Sequence, residues 1–238
     1  MKRFVVSDLH GCFDLWEKCL DKIKELEPSG EKEIYVLGDV LDKGDRPIDL
    51  LLNIMENPFV YMINGNHELD FLDIHNIIHK YDPTVEECIK YDVYISNGGN
   101  PTIKQFCEND DETQQKILSF LEGKRKKLFF EIEENGESFV LTHGGISNFS
   151  SEKPLDEYTV EELTIHRYKY GEKFFTNKTL ICGHTPTIKD NSSPAEIFVS
   201  DDGNFYNIDC GCVFRSYGGR LAILELSAKE PMDVHYIS

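Results

Sequence analysis

The sequence predicts an α/β fold organised on a largely parallel sheet, on three observations: a strand followed by a helix opens the chain, the same unit repeats at once, and a third apolar strand comes next. Lys2 to Ser7 alternates and is β-branched enough for a strand, and Leu15, Cys19, Leu20, Ile23 and Leu26 then recur at helical spacing until Pro28-Ser29-Gly30 stops them. Glu33 to Leu37 reads as a buried strand, Gly38 to Arg46 as a loop, and Pro47 to Glu56 as a helix with proline in its first turn, where its missing N–H costs nothing. Phe59 to Ile63 is the third strand. In such sheets functional loops gather beyond the carboxyl ends of the strands.

From Glu68 to about Gly123 the pattern is helical and polar, broken near Asp82-Pro83 and at Asn97-Gly98-Gly99-Asn100-Pro101. This predicts a helical insertion over about residues 70–126, inside a single domain spanning 1–238. Lys127 to Glu133 and Ser138 to Thr142 then flank an Asn135-Gly136 pair, the signature of a hairpin. Short strands follow at Thr179 to Cys182, Glu196 to Val199, Phe205 to Asp209 and Arg220 to Leu226, with a helix expected over Val160 to Phe174.

Composition narrows the classes of function. A hydrophobic fraction of 40% in 238 residues suits a globular core. No apolar run reaches the roughly 18 residues of a membrane span, and the opening segment turns polar too soon for a signal peptide, so the expected location is the cytoplasm, with no membrane partner. Seven cysteines, odd in number and without CxxC spacing, read as reduced core thiols, Cys210 and Cys212 included. The formal net charge of -18 repels a polyanion, which argues against duplex nucleic acid as substrate.

The chemistry is concentrated where strands end. Asp8-Leu9-His10-Gly11, Gly38-Asp39-Val40-Leu41-Asp42 and Gly65-Asn66-His67-Glu68 each deliver metal-binding side chains directly after a strand. Leu141-Thr142-His143-Gly144-Gly145 and Ile181-Cys182-Gly183-His184-Thr185-Pro186 each add a histidine beside glycine. Carboxylate, imidazole and amide oxygen without thiolate suit manganese, iron or catalytic zinc rather than a structural zinc site. The ligand count fits two divalent ions, and such a pair can activate a shared water and clamp a phosphoryl group for in-line attack.

This motif series resembles the PPP family of metallophosphoesterases, which includes serine/threonine phosphoprotein phosphatases and symmetrical diadenosine tetraphosphatases. The family's GDxHG stands here as Ser7-Asp8-Leu9-His10-Gly11, its GDxVDRG as Gly38-Asp39-Val40-Leu41-Asp42-Lys43-Gly44, and its GNHE as Gly65-Asn66-His67-Glu68, in the expected order. The likeness spans about residues 4–226. It implies a four-layer sandwich of two mixed β-sheets flanked by helices. It further implies that Asp8, His10 and Asp39 hold one ion, that Asp39, Asn66, His143 and His184 hold the other, and that manganese is the expected metal. A metal-bridging hydroxide would attack in one step, without a phosphoenzyme, and His67 would protonate the leaving oxygen with Asp42 orienting its ring.

The pattern also departs from the family. Lys43 stands where the family carries an arginine that holds the substrate phosphate, and an ammonium lacks the bidentate fork. Arg46, Asn66 and Arg167, the last in Leu163-Thr164-Ile165-His166-Arg167, complete the candidate phosphate-binding set with Lys43. The last motif ends Gly183-His184-Thr185-Pro186 rather than in a second histidine, which points to the PPP branch and away from nucleases. His75 and His79 echo a zinc-protease spacing, but Asn76 holds the place of the glutamate, so a plain helix face is expected. Asp201-Asp202-Gly203-Asn204 reads as a hairpin turn, and Asp209 as a loop buttress without a catalytic role. The resemblance leads to a phosphoserine or phosphothreonine phosphatase acting on a phosphorylated protein or a small phosphoester. Hydrolysis of diadenosine tetraphosphate or of small phosphoesters is the alternative, and the intact ligand set argues against a noncatalytic metal-binding regulator.

Overall fold

The computed structural model describes residues 1–190, 194–227 and 232–238. Two five-stranded mixed sheets form its centre. In the first, β1 (Lys2–Val6), β2 (Lys32–Val36) and β3 (Val60–Met62) run parallel, while β9 (Leu221–Glu225) and β10 (Val234–Ile237) pair antiparallel on the other side of β1. The crossovers are α1 (Phe13–Leu26) and α2 (Pro47–Glu56), as the repeated strand–helix unit requires.

The second sheet takes the order β4 (Phe129–Glu134), β5 (Glu137–Thr142), β6 (Thr179–Cys182), β8 (Phe205–Asn207) and β7 (Phe198–Val199). β4 and β5 are joined by Asn135 and Gly136, both at positive φ, which is the turn their sequence called for. Pairs β5–β6 and β6–β8 are parallel.

Alternation along the strands builds the layers. Val5 and Tyr35 of the first sheet face Phe139, Leu141, Ile181 and Tyr206 of the second, in one buried cluster. Their neighbours Phe4, Val6, Ile34 and Val36 point the other way, against Trp16, Leu50, Phe71 and Ile117 of the helices. On the far face of the second sheet Val140, Leu180 and Phe205 pack on Leu155, Leu163 and Phe174. Period two on both sheets therefore gives the expected helix, sheet, sheet, outer-cover order.

The helical insertion comprises the end of α3 (Asn66–Ile74), α4 (Val85–Tyr94), α5 (Asn100–Glu108) and α6 (Asp111–Gly123). Between α4 and α5 the break read at Asn97-Gly98-Gly99 is a wide helical turn, Ile95–Gly99, kinked at Gly98, whose φ is 101°. The expected helix over Val160 to Phe174 is a correction: only α7 (Val160–Thr164) forms. Past it, Glu172 binds His166 and the Lys169 N–H, holding the chain in a loop that turns at Gly171 at φ 79°. The strand β10 was not foreseen. Of the cysteines, Cys12, Cys19, Cys182, Cys210 and Cys212 are buried, whereas Cys88 and Cys107 are exposed on the insertion. Among the described residues no helix is long and apolar enough to cross a membrane.

Candidate active site

The parallel register aligns Val6, Val36 and Met62, so the loops after β1, β2 and β3 leave the first sheet at one level. The loops after β5 and β6, whose Leu141 and Ile181 are paired, leave the second sheet beside them. His143 closes the seam by donating Nδ1–H to the Leu37 carbonyl at 2.7 Å, and the His184 N–H donates to Asp8 Oδ2 at 2.9 Å. Asp8, His10, Asp39, His67 and His143 are all buried there. Arg167 and Lys43 join Asp8, His10, Asp39, Asn66, His67 and His184 on the wall of a cavity of about 230 Å³.

The backbone is strained where the side chains converge. Asp8, His10, Asp39, Asp42, Lys43 and His184 all have φ between 41° and 69°. That is left-handed backbone, costing of order 1–3 kcal/mol per residue, and such outliers collect at functional sites when the surroundings hold them. Glu68 supplies much of the holding: its two oxygens accept N–H groups of Asp39, Val40, Leu41 and Gly65 at 2.8–2.9 Å. Burial, then Asp39, pushes the Glu68 carboxyl up to about 7, opposed by those donors. Close approach also requires glycine, since a Cβ at Gly65 would strike Asp39 Oδ1 and one at Gly183 would strike the Ser7 hydroxyl and Asp8 Oδ2.

Two groups of donors meet at Asp39. His10, Asp39 and His67 form one, and Asp39, His143 and His184 the other, each with ligand atoms within 4.8 Å of one another. The first group takes in His67, and Asp8 stands beside it on the same cavity wall, its Oδ2 accepting the Ser7 hydroxyl and the His184 N–H. The donor chemistry fits ions on both sides of Asp39. His10 and His143 donate Nδ1–H to the carbonyls of Leu41 and Leu37, which leaves each Nε2 on the Asp39 side, at 3.6 and 3.3 Å from its oxygens. A carbonyl on one ring nitrogen fixing the other as ligand is the usual outer support of a metal histidine. Asn66 Oδ1 lies 3.2 Å from His143 Nε2, in reach of the same position.

Electrostatics follow from burial around one carboxylate. Burial, then Lys43, holds His10 well below the ordinary histidine range, and burial, then His143, pulls His184 down to about 3, which favours the neutral rings a metal takes. For His143 the lowering by burial is outweighed by Asp39, which raises it to about 10, a proton that a bound ion would displace. Burial likewise opposes a charged Asp39, but His143 and His67 hold it well below the carboxylate range.

His67 Nδ1 sits 2.6 Å from Asp42 Oδ2, and its Nε2 is 3.8 Å from Asp39 Oδ2. Burial alone would lower His67, yet Asp39 and then Asp42 outweigh it and raise it, the direction a proton donor needs. Lys43 Nζ reaches His10 Nε2 at 2.7 Å, and Arg167 bonds the His184 carbonyl at 3.3 Å. Arg46 lies apart from the cavity lining: its guanidinium is 4.0 Å from the Phe13 ring centre and pairs with Asp49 at 2.8 Å.

Sequence reasoning missed Asn97, Val213 and Phe214, which line the same cavity with Pro186 and Asp209. Asp209 does buttress its loop, accepting the Gly211 N–H at 2.8 Å and the Thr187 N–H at its carbonyl. His75 bonds the Leu72 carbonyl and lies outside the cavity wall. Asn97 could have been suspected only from its Gly-Gly neighbours, and Phe214 carried no local signal.

Comparison with known proteins agrees with this architecture. Residues 1–202 match the calcineurin-like phosphoesterase family. The chain is 21% identical over 98% of its length to a bis(5'-nucleosyl)-tetraphosphatase PrpE [asymmetrical] of Oceanobacillus iheyensis, covering 92% of that protein. It is 22% identical over 94% of its length to serine/threonine-protein phosphatase 1 of Salmonella typhimurium, covering 91% of it. Among solved structures, a putative diadenosine tetraphosphatase superposes with a TM-score of 0.62 at 17% identity, over 99% of this chain and 93% of that one.

Proposed function

The chain belongs to the calcineurin-like phosphoesterase family and is a hydrolase acting on phosphoesters, and from that premise we propose that it removes the phosphoryl group of phosphoserine or phosphothreonine in proteins. The observation that carries this reading is the buried acid pair, His67 Nδ1 at 2.6 Å from Asp42 Oδ2 with the ring on the cavity wall. An alkoxide leaving from a serine or threonine is strongly basic and needs a proton as the bond breaks. The phosphate released from an anhydride is weakly basic and leaves without one. Full-length likeness to the Salmonella phosphatase supports the same choice.

Two divalent ions, manganese first and iron or zinc as alternatives, would supply an activated water and neutralise phosphoryl charge when bound. Asp8, His10 and Asp39 would hold one, and Asp39, Asn66, His143 and His184 the other. Arg167 and Lys43 face the same space with positive charge and would bind the phosphoryl oxygens, Asn66 assisting through its amide. As the oxygen of a water that has already given one proton to solvent bonds to phosphorus and the ester P–O bond breaks in line, the departing oxygen keeps the electron pair and takes the proton of His67 Nε2, which solvent then restores. Asp42 would hold the ring in place through Nδ1 while the proton leaves Nε2.

A second reading, hydrolysis of a dinucleoside tetraphosphate, is favoured by the likeness to PrpE and by Pro186, Val213 and Phe214, an apolar rim able to face a nucleobase. Phosphate release from a phosphothreonine peptide and turnover of diadenosine tetraphosphate, measured side by side with manganese-loaded enzyme, decide between them. The expected result is a higher kcat/KM for the peptide. A higher value for the dinucleotide overturns the first reading, and the products, two ADP or ATP with AMP, then tell which bond is cut.

A further inference from the structure

The helical insertion reaches into the acid pair. Asp42 is fully buried, and one of its oxygens, Oδ2, is spent on His67. The other, Oδ1, accepts two hydroxyls from the insertion: Tyr94 OH at 2.5 Å, from the last turn of α4, and Thr102 Oγ1 at 2.5 Å, from the first turn of α5. Thr102 Oγ1 also accepts the Asp42 N–H at 2.9 Å, so this one hydroxyl ties the residue's backbone to its own carboxylate.

The linker between the two helices adds a third tie, since the Gly98 carbonyl accepts the Lys43 N–H at 2.8 Å. A Cβ at Gly98 would come within 2.8 Å of Lys43 Cγ, and one at Gly99 would enter the Tyr94 ring, so the wide turn packs directly on both. Asp42 and Lys43 both hold left-handed backbone, at φ 69° and 64°, which needs such over-determination to persist. Burial, then the Asp42 charge, keeps the Tyr94 phenol above its ordinary range, so it stays a donor.

We propose that Tyr94 and Thr102 are positioning residues of the acid step: by donating to Asp42 Oδ1 they turn Oδ2 onto His67 Nδ1 and so aim His67 Nε2 at the leaving oxygen. This rests on the reading of His67 as the acid. Neither hydroxyl touches substrate. A charged acceptor with two donors on one oxygen and an imidazole on the other has one orientation left, whereas a carboxylate freed of them can rotate and let the ring follow.

The test uses full-length, metal-loaded Tyr94→Phe, Thr102→Val and Thr102→Ser, with His67→Gln as reference, each checked for two ions and near-native thermal unfolding. Rates are compared on a phosphothreonine peptide, whose leaving alkoxide needs a proton, and on p-nitrophenyl phosphate, whose leaving group hardly does. The expected result is that Tyr94→Phe and Thr102→Val lower kcat on the peptide about tenfold, with KM little moved. The peptide-to-aryl rate ratio then falls nearly as much, and Thr102→Ser restores it. In the metal-free protein the downfield proton of the His67 Nδ1–H bond should move upfield in Tyr94→Phe. If both substrates slow equally, or neither slows, the proposal is overturned while His67→Gln still shows leaving-group selectivity. If His67→Gln shows no such selectivity, the acid reading itself fails and takes the proposal with it.

Discussion

The strand-end loops between residues 8 and 67 include Asp42, and residues 84–108 of the helical insertion pack against it, but the two parts are built in different ways. The loops carry side chains on a backbone bent into left-handed conformations, with glycines packed against carboxylates. The insertion carries none of the proposed ligands and consists of ordinary helices joined by one wide turn, yet it supplies Tyr94 and Thr102 to Asp42 and a carbonyl to Lys43. Asp8, His10, Asp39, Asp42, Lys43 and His184 sit on strained backbone, whereas Tyr94 and Thr102, which hold Asp42, sit on relaxed helix. The difference shows that an insertion between motifs need not be a lid; here it braces the loop below it.

Substitutions on either side sharpen that contrast. Asp39→Asn, at the point both donor groups share, should abolish turnover and lower the number of ions bound per chain, read by elemental analysis of the purified protein; two ions retained with activity intact would sink the shared-carboxylate reading. His67→Gln comes next, with a fall of about 10²–10⁴ in kcat on a phosphothreonine peptide and ion content preserved. An unaltered rate would remove His67 from the acid role. On the insertion side, Gly98→Ala forces a Cβ into left-handed backbone against Lys43. It should cost about 1–2 kcal/mol in denaturant unfolding; no loss would mean that the wide turn does not brace the loop. The smallest effect is expected outside both regions: Arg46→Ala gives up an exposed pair and a cation–π contact, at most about 1 kcal/mol. Its kcat/KM should stay within about twofold, and a larger fall would return Arg46 to the phosphate site.

The candidate metal-binding side chains could be picked out because they lie immediately after strands. Asp8, Asp39, Asn66, His143 and His184 each follow the end of a strand by one to four residues, and parallel pairing within each sheet brings such ends to one level. For Arg46 nearness to Lys43 in sequence says little about direction, since its guanidinium stacks over Phe13 and pairs with Asp49 at the start of α2. The helix expected as far as Phe174 ended at Thr164 because the pairing of Glu172 with His166 and Lys169 favours a loop that no periodicity records.

The sequence by itself determined the strand–helix alternation, the hairpin at Asn135-Gly136 and the identity of the groups able to bind metal, since each depends on residues a few positions apart. Only the tertiary structure decided which donors share Asp39, that Phe214 and Asn97 reach the cavity, and that Tyr94 and Thr102, 52 and 60 positions beyond Asp42, hold its carboxylate. The physical reason is range. Periodicity and turn chemistry act through neighbouring backbone, whereas a hydrogen bond closing a loop of that length exists only once the sheets and helices have packed.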